Sequence, residues 1–238
     1  PDRLDGRPLS LPIQSILRDV ISMRCLQTTL AIGLKQPFRA LHLSDSHICR
    51  ADARDGKRKV TLAQRRGAHF DGGVPGRAER LLTEQLAYAD GHRLPILYTG
   101  DFCDFVSQPN LEYMLDTLSK RDCFMAAGNH EYSLYVGEAF EDEAYKMQSF
   151  DRVQSFCGND LRFASRVMGG VNFVAVDNVY YGFTSRQLAL LQAEIARGLP
   201  IVLMMHTPLY TPELYDYVMG ELRQPCAYLV GVPEERMG

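Results

Sequence analysis

The sequence predicts an α/β fold in which short buried strands alternate with amphipathic helices. Short runs of Ile, Leu, Val and Phe recur along the chain, and the segments between them have helical apolar spacing. Two further apolar runs flank Gly169-Gly170, which predicts a hairpin and therefore an antiparallel part of the sheet. An apolar fraction of 46% over 238 residues is enough for a sizeable core.

Residues 1–36 are expected to form an extension in front of the main domain, which is predicted to span residues 37–238. Apolar residues in this extension fall at helical spacing behind a candidate N-cap at Ser10: Ile13, Ile16, Leu17, Val20 and Ile21. The pattern is typical of an amphipathic helix that packs on the main domain. A helix that lies on a membrane surface or binds a partner is the alternative.

The strands of the main domain are predicted from their apolar runs: Phe38–Leu43, Leu94–Tyr98, Cys123–Ala127, Leu161–Val167, Val171–Val176 and Ile201–Met205. Helices are predicted from apolar spacing and from the Gly, Pro and Thr residues near their ends: Ala78–Ala89, Leu111–Leu118, Glu138–Phe156 and Thr184–Ala196. In the longest helix, four residues are expected to face the core: Phe140, Ala144, Met147 and Phe150.

The segment Arg50–Arg66 carries seven Lys or Arg residues against two Asp residues. We expect it to form a solvated, charged loop. The alternative hypothesis is that it steers an anionic substrate, because it begins soon after His47.

Composition excludes several classes of protein. The net charge of −3 argues against a general nucleic-acid-binding protein, so stable nucleic-acid binding is not expected. The six cysteines form no Cys-x-x-Cys pair and are expected to be reduced thiols of a cytoplasmic protein. No membrane span is expected, because the most apolar stretch, Leu11 to Leu34, is broken by Arg18, Asp19 and Arg24.

Polar side chains with metal-binding chemistry follow four of the predicted strands. Asp45 and His47 follow the first strand, and Asp101, Asn129 and His206 each follow a later one. Because the carboxyl ends of strands form one edge of an α/β sheet, we expect these side chains to lie close together. Taken singly, each also fits a turn or a buried structural position. Their joint occurrence favours one shared site.

Carboxylate, imidazole and amide ligands together suit Mn, Fe or Zn. Two such ions that share a carboxylate lie about 3.5–4 Å apart, where they activate a water and clamp a phosphoryl group. Glycine precedes both Asp101 and Asn129, which permits the tight backbone that brings a ligand close to a metal. The predicted cofactors are therefore two divalent or trivalent metal ions.

Four short motifs follow one another over roughly residues 38–208: Asp45-Ser46-His47, Gly100-Asp101 with Asp104, Gly128-Asn129-His130-Glu131, and His206 after an apolar strand. Their types and order resemble those of the calcineurin-like metallophosphoesterase family. The resemblance implies a four-layer α/β/β/α sandwich of mixed sheets. It also implies an enzyme that hydrolyses a phosphate monoester or diester by means of a hydroxide bridging two metal ions.

The resemblance further implies a role for each matching residue. Asp45 and His47 would hold one metal, Asn129 and His206 would hold the second, and Asp101 would bridge both. His130 would not be a ligand. It would be the catalytic residue that contacts the scissile phosphate or protonates the leaving oxygen. A structural histidine at position 130 is the alternative.

The chain departs from the family pattern after His206. The family closes its site with a late Gly-His-x-His motif, and no histidine follows His206 here. Five of the seven expected ligand residues are therefore present. Either the chain lacks the C-terminal strands of the sandwich, or it is a degenerate relative. We favour truncation, because a decayed site would be expected to lose its other polar ligands too.

We expect this chain to bind metal weakly and to hydrolyse phosphate esters slowly, with manganese as the activating ion. The expected substrate is a phosphorylated small molecule or nucleotide. The alternative function is that of a catalytically inactive relative acting as a binding or scaffold protein. A serine hydrolase is not supported, because no Gly-x-Ser-x-Gly elbow occurs. His42 lies mid-strand, with side-chain parity opposite to that of Asp45, and is predicted to be a core residue.

Overall fold

The computed structural model describes residues 24–138 and 140–236. The N-terminal helix predicted around Ile13 to Ile21 lies outside the described residues. The described chain is a mixed α/β structure with two three-stranded sheets joined by helices. This arrangement confirms the predicted mixed α/β class.

The first sheet consists of three parallel strands in the order β1-β2-β3: Leu41–Leu43, Ile96–Thr99 and Cys123–Ala126. Leu43 is in register with Tyr98, and Tyr98 is in register with Met125. All three strands therefore end at the same edge of the sheet. The loops that follow them carry the predicted site residues.

Three helices make the crossovers that parallel strands require. Helix α1 (Gly56–Phe70) and helix α2 (Arg77–His92) connect β1 to β2, and helix α3 (Gln108–Leu118) connects β2 to β3. Ser107 caps α3 by accepting the backbone N–H of Asn110. Helices α2 and α3 bury residues in a shared core with the first sheet: Leu82, Leu86, Leu111, Met114, Ile96 and Tyr98. This core supports the sheet from one side.

The second sheet has the order β4-β5-β6: Phe163–Met168, Val171–Val176 and Ile201–Met204. Strands β4 and β5 form the predicted antiparallel hairpin, and β5 and β6 are parallel. The β5–β6 crossover contains helix α6 (Ser185–Ala196), which begins with a capping box between Thr184 and Gln187.

The two sheets share a hydrophobic cluster. Its buried members come from β3 of the first sheet and from all three strands of the second: Phe124, Ala126, Met168, Val171, Phe173, Ala175 and Met204. Phe38 also packs here, with its ring centroid 5.7 Å from that of Phe173. Phe38 itself precedes the first strand, because β1 begins at Leu41, three residues later than predicted.

The single long helix predicted over Glu138–Phe156 is wrong. The structure has two short helices instead, α4 (Glu143–Met147) and α5 (Phe150–Gln154). The break lies at Ser149, whose buried Oγ donates to the Tyr132 carbonyl at 2.9 Å and so competes with helix continuation. Phe150 is buried as predicted, whereas the other three expected core residues are exposed: Phe140, Ala144 and Met147.

The basic segment is mainly helical rather than a loop, because most of it lies in the 3-10 turn Ala53–Asp55 and in α1. Four of its arginines form ion pairs with carboxylates: Arg50 with Glu79, Arg54 with Asp52 and Glu112, Arg58 with Glu138, and Arg66 with Asp104. Lys59 donates to the carbonyl of Val106. Neighbouring groups thus neutralise much of the charge that substrate steering would need.

His42 is exposed, so its prediction as a core residue is wrong. It lies on β1, the edge strand of the first sheet, and its Nε2 lies 2.7 Å from the hydroxyl of Thr99. Its side chain lies on the opposite face of β1 from the buried Leu43, and the inter-sheet cluster takes its first-sheet members from β2 and β3 rather than from β1.

Beyond β6 the chain forms helix α7 (Pro212–Asp216), a π-helical turn (Tyr217–Glu221) and a 3-10 turn (Glu234–Arg236). A bridge between Leu209 and Val230 ties this segment together. Among the helices in the described ranges, none combines the length and apolarity needed to cross a bilayer.

Candidate metal centre

Left-handed backbone conformations bring three predicted ligands to one edge of the first sheet. Asp45, His47 and Asp101 have φ values of 56°, 43° and 56°. Residues other than glycine adopt such values rarely, and they cluster where function demands a particular geometry. The loops are joined by backbone hydrogen bonds from Asp45 N–H to Gly100 C=O (3.0 Å) and from His47 N–H to Asp101 C=O (2.9 Å).

Gly100 and Gly128 allow the loops after β2 and β3 to touch. Gly100 has a φ of 92°, and a Cβ at this position would lie 2.6 Å from the Gly128 Cα. A Cβ at Gly128 would lie 2.6 Å from the Asp101 nitrogen and would clash with the Asp101 carboxylate. The predicted need for glycine before each ligand therefore has a steric basis, because only hydrogen fits.

Asp101 lies at the centre of the cluster. Its Oδ2 is 3.5 Å from His47 Nε2 and 3.3 Å from His206 Nε2, so one carboxylate oxygen lies within reach of two imidazoles. Its Oδ1 accepts the backbone N–H of His130 at 3.0 Å. The side chain is nearly fully buried, which fixes its position.

Both imidazoles are oriented through Nδ1. His47 Nδ1 lies 3.0 Å from Asp104 Oδ1, and His206 Nδ1 lies 2.8 Å from the carbonyl oxygen of Thr99. An acceptor at Nδ1 favours the proton there and leaves the Nε2 lone pair available as a metal ligand. The ring of His47 also stacks on Phe70, with centroids 4.3 Å apart and planes within 5°.

Two groups of side chains could each hold a metal ion, and Asp101 belongs to both. Asp45, Asp101 and His206 form one group, and His47, Asp101 and His130 form the other, each with ligand atoms within 4.8 Å. This grouping places Asp45 with His206, whereas the sequence motifs pair it with His47. Asp45 Oδ1 also lies 3.8 Å from His47 Nε2, so the half-exposed Asp45 is close to both imidazoles.

Asn129 lies beside this cluster. It follows Gly128 and lines the same cleft as Asp45, His130 and His206. The structure thus brings all six residues singled out from the sequence to one region.

Asp104 and Arg66 hold the cluster from behind. The fully buried Asp104 carboxylate accepts hydrogen bonds from Arg66 Nε at 2.6 Å and from Arg66 Nη2 at 2.7 Å, and it contacts His47 and His130. These hydrogen bonds outweigh the effect of burial and keep the pKa of Asp104 well below its usual range. Asp104 carried a signal in the sequence, its spacing from Gly100-Asp101, although no role was assigned to it. Nothing in the sequence identified Arg66.

Glu131 is a third residue whose role was missed. Its buried carboxylate accepts backbone N–H groups of Asp101 (2.7 Å), Gly128 (2.7 Å) and Cys103 (3.1 Å). Burial, together with the nearby charge of Asp101, raises its pKa to about 7. Glu131 therefore joins the loops after β2 and β3, and its signal was its place in Gly128-Asn129-His130-Glu131.

The cluster favours positive charge. Burial lowers the pKa of His47, but its hydrogen bonds to Asp104 and Asp45 outweigh this effect and raise the pKa to about 9. Burial likewise lowers the pKa of His206, and the interaction with Asp101 raises it to about 9. A buried site that attracts protons in this way also suits metal cations. Its carboxylate and imidazole donors fit the chemistry of divalent metal ligands.

These pKa shifts predict a pH dependence. The imidazolium forms of His47 and His206 stabilise the metal-free fold below pH 6.5, and this contribution is lost as the pH rises through about 9. We expect the Tm of the metal-free protein to fall over that range. The affinity for Mn²⁺ is expected to rise over the same range, because protons compete less with the metal.

Thermal unfolding and calorimetric titration at several pH values test this expectation. Titrations in two buffers of different ionisation enthalpy at pH 7 are expected to reveal proton release on binding. An Mn²⁺ affinity that is the same at pH 7 and pH 9 would contradict the assignment of these imidazoles as ligands.

A search of the curated proteins found no match to this chain. Residues 38–230 match the family model described as calcineurin-like phosphoesterase. That match begins just before β1 and covers both sheets and the whole carboxylate and imidazole cluster. Members of this family hydrolyse phosphoesters in a metal-dependent reaction. With most of its length matched, this chain belongs to the calcineurin-like phosphoesterase family.

Proposed function

We propose that the chain hydrolyses a phosphate monoester or diester at a centre of two metal ions that share Asp101. The observation that carries the proposal is the position of Asp101 Oδ2, 3.5 Å from His47 Nε2 and 3.3 Å from His206 Nε2. Asp45 and His47 would hold one ion, and Asn129 and His206 would hold the other. When bound, the ions would lower the pKa of a water and neutralise charge on the phosphoryl group.

The chain's own residues prepare this site in three ways. Asp104 and the Thr99 carbonyl present the two Nε2 lone pairs, and Arg66 holds Asp104 in place. Glu131 fixes the loop that carries Asp101. These contacts would hold the proposed ligands in position before metal binds, which would reduce the reorganisation that metal and substrate binding require.

His130 is the proposed proton donor to the leaving oxygen. Its Nδ1 lies 2.7 Å from the Asp104 carbonyl oxygen and 3.2 Å from the Asp104 carboxylate, which holds the ring at the cleft wall. Burial lowers its pKa, but the hydrogen bond to Asp104 outweighs this effect and the pKa is raised. An imidazolium with a raised pKa can donate a proton near neutral pH. His130 also forms one possible metal-binding group with His47 and Asp101, so direct coordination of a metal is the competing role.

We infer two further points at the level of the whole protein. The inter-sheet cluster supports the two inner layers of an α/β/β/α sandwich, and the packing of α2 and α3 on the first sheet supports one outer layer. The expected substrate is a phosphorylated small molecule or nucleotide. Manganese as the activating ion and a cytoplasmic location stay predictions from the sequence.

The test combines metal analysis with a panel of phosphate monoesters and diesters. We expect up to two Mn²⁺ ions per chain, bound weakly, and slow hydrolysis that chelators abolish. His206→Ala is expected to abolish Mn²⁺-dependent hydrolysis and to reduce the number of ions bound, because it deletes one imidazole beside Asp101. His92→Ala is the matched control, since His92 is an exposed histidine at the end of α2.

Hydrolysis that persists unchanged in chelator, or in His206→Ala, would overturn the proposed centre. A chain that folds but neither binds Mn²⁺ nor hydrolyses any ester would support the alternative function, that of a binding or scaffold protein.

A further inference from the structure

We propose that an aromatic wall beside the metal centre binds a planar, uncharged ring in the leaving group of the substrate. The wall consists of Phe140, Tyr181, Phe183 and Tyr228. This inference rests on the proposed phosphoesterase function, because it places the phosphoryl group at the carboxylate and imidazole cluster. It goes further by naming the chemistry of the group to which the phosphate is attached.

The first observation is where the exposed aromatic side chains lie. A cleft of about 1680 Å³ is lined by Asp45, Asn129, His130 and His206 and also by the aromatic wall. In the described chain five aromatic residues are exposed, and four of them are the members of this wall. The fifth, Tyr217, lies outside the cleft. Exposed aromatic residues gathered in one cleft mark a binding surface.

The second observation is the arrangement of two of the rings. Tyr181 and Tyr228 have planes within 19° of parallel, and their centroids are 6.5 Å apart. Centroid separations of about 4.5–7 Å are usual for aromatic pairs, so these two rings form a widely offset pair. The two residues are 50% and 68% exposed, which leaves ring surface available for a third planar group.

The third observation is the backbone at Tyr180 and Tyr181, where φ is 64° and 65°. Seven described residues other than glycine have positive φ, and five of them are these two tyrosines and the ligands Asp45, His47 and Asp101. Unfavourable backbone of this kind persists where the surrounding structure requires it, and it gathers at functional sites. The backbone at Tyr181, which lines the cleft, is therefore strained in the same way as the backbone at the proposed ligands.

Charge decides what else the ring can carry. Away from the metal centre the cleft is lined by five carboxylates against three cations: Glu141, Asp142, Glu143, Asp160 and Asp177 against Lys146, Arg162 and Arg186. A leaving group that carries a second phosphate would be repelled by this net negative lining of the cleft. The structure therefore fits a substrate in which one phosphoryl group is attached to an alcohol that carries a neutral planar ring. A nucleoside and benzyl alcohol are examples of such an alcohol.

The test compares benzyl phosphate with cyclohexylmethyl phosphate in the presence of Mn²⁺. Both are esters of primary alcohols with similar size and intrinsic reactivity, and they differ in whether the ring is flat and aromatic. Stacking on exposed aromatic rings predicts that kcat/KM is higher for benzyl phosphate by about 10-fold. The double variant Tyr181→Leu, Tyr228→Leu keeps the wall apolar and is expected to remove most of this preference. Tyr217→Leu, outside the cleft, is expected to retain it.

A binding measurement separates this inference from the proposed function. Benzylphosphonate is expected to bind to the Mn²⁺-loaded protein about 10-fold more tightly than cyclohexylmethylphosphonate in calorimetric titrations. If no ester of the monoester and diester panel is hydrolysed, the proposed function fails, and the phosphonate affinities still decide whether the aromatic wall binds a planar ring. Equal affinities, or a preference unchanged in the double variant, would overturn it.

Discussion

Asp101→Asn is expected to lower phosphoesterase kcat/KM by about 1000-fold or more, the largest effect of any single change in this chain. The reason is geometric, because the Asp101 carboxylate lies within 3.5 Å of both His47 Nε2 and His206 Nε2 and belongs to both groups of side chains that could hold a metal ion. An amide of the same shape retains the acceptor for the His130 N–H but has no charge to share between two cations. The fold is therefore expected to survive while metal binding is lost.

The measurement is steady-state hydrolysis together with the number of Mn²⁺ ions bound per chain. Asp116→Asn is the control, since Asp116 is an exposed carboxylate on α3. Asp101→Asn is also expected to lower the pKa of His206 in the metal-free protein, because the charge of Asp101 helps to raise that pKa. Activity within a few-fold of the unmodified chain would show that Asp101 does not join two metal sites.

Gly128→Ala is expected to reduce both stability and activity. The added Cβ would lie 2.6 Å from the Asp101 nitrogen and would clash with the Asp101 carboxylate. Overpacking of this kind typically costs about 1–3 kcal/mol in the free energy of unfolding. Gly128 is not among the glycines with positive φ, so the effect comes from crowding alone. Relief of the clash would move the central carboxylate, and activity is therefore expected to fall more steeply than stability.

Denaturant unfolding and hydrolysis rates measure the two effects. Gly158→Ala is the matched control, because a Cβ there would meet no atom within 4 Å. A Gly128→Ala protein as stable and as active as the Gly158→Ala protein would show that the loops after β2 and β3 do not pack as the structure has them.

The proximity of the predicted ligands could be inferred from the sequence because it follows from a local rule. Parallel strands in register end at one edge, so residues directly after β1, β2 and β3 must be neighbours. His206 follows β6 of the second sheet, and its approach to Asp101 depends on how the sheets pack. The strand pattern and the family motif both predicted that His206 joins the cluster, but neither revealed the packing of the two sheets that brings it to Asp101.

The missed features depend on long-range contacts. Arg66 lies 38 residues before Asp104 in the chain, and its partner could not be identified from spacing. The helix expected over Glu138–Phe156 is interrupted because Ser149 donates to Tyr132, a tertiary contact that overrides local helical periodicity. His42 is exposed because the inter-sheet cluster packs on β2 and β3 rather than on β1, which the sequence of the strand does not reveal.

The most direct measurement of the central claim is a crystal structure of the Mn²⁺-soaked protein with anomalous diffraction at the manganese edge. We expect two anomalous peaks about 3.5–4 Å apart, with the Asp101 carboxylate between them. His47 and His206 are expected to coordinate different manganese ions, one at each peak. A well-ordered Asp101 with no peak beside it, or both imidazoles on a single ion, would contradict the shared two-metal centre.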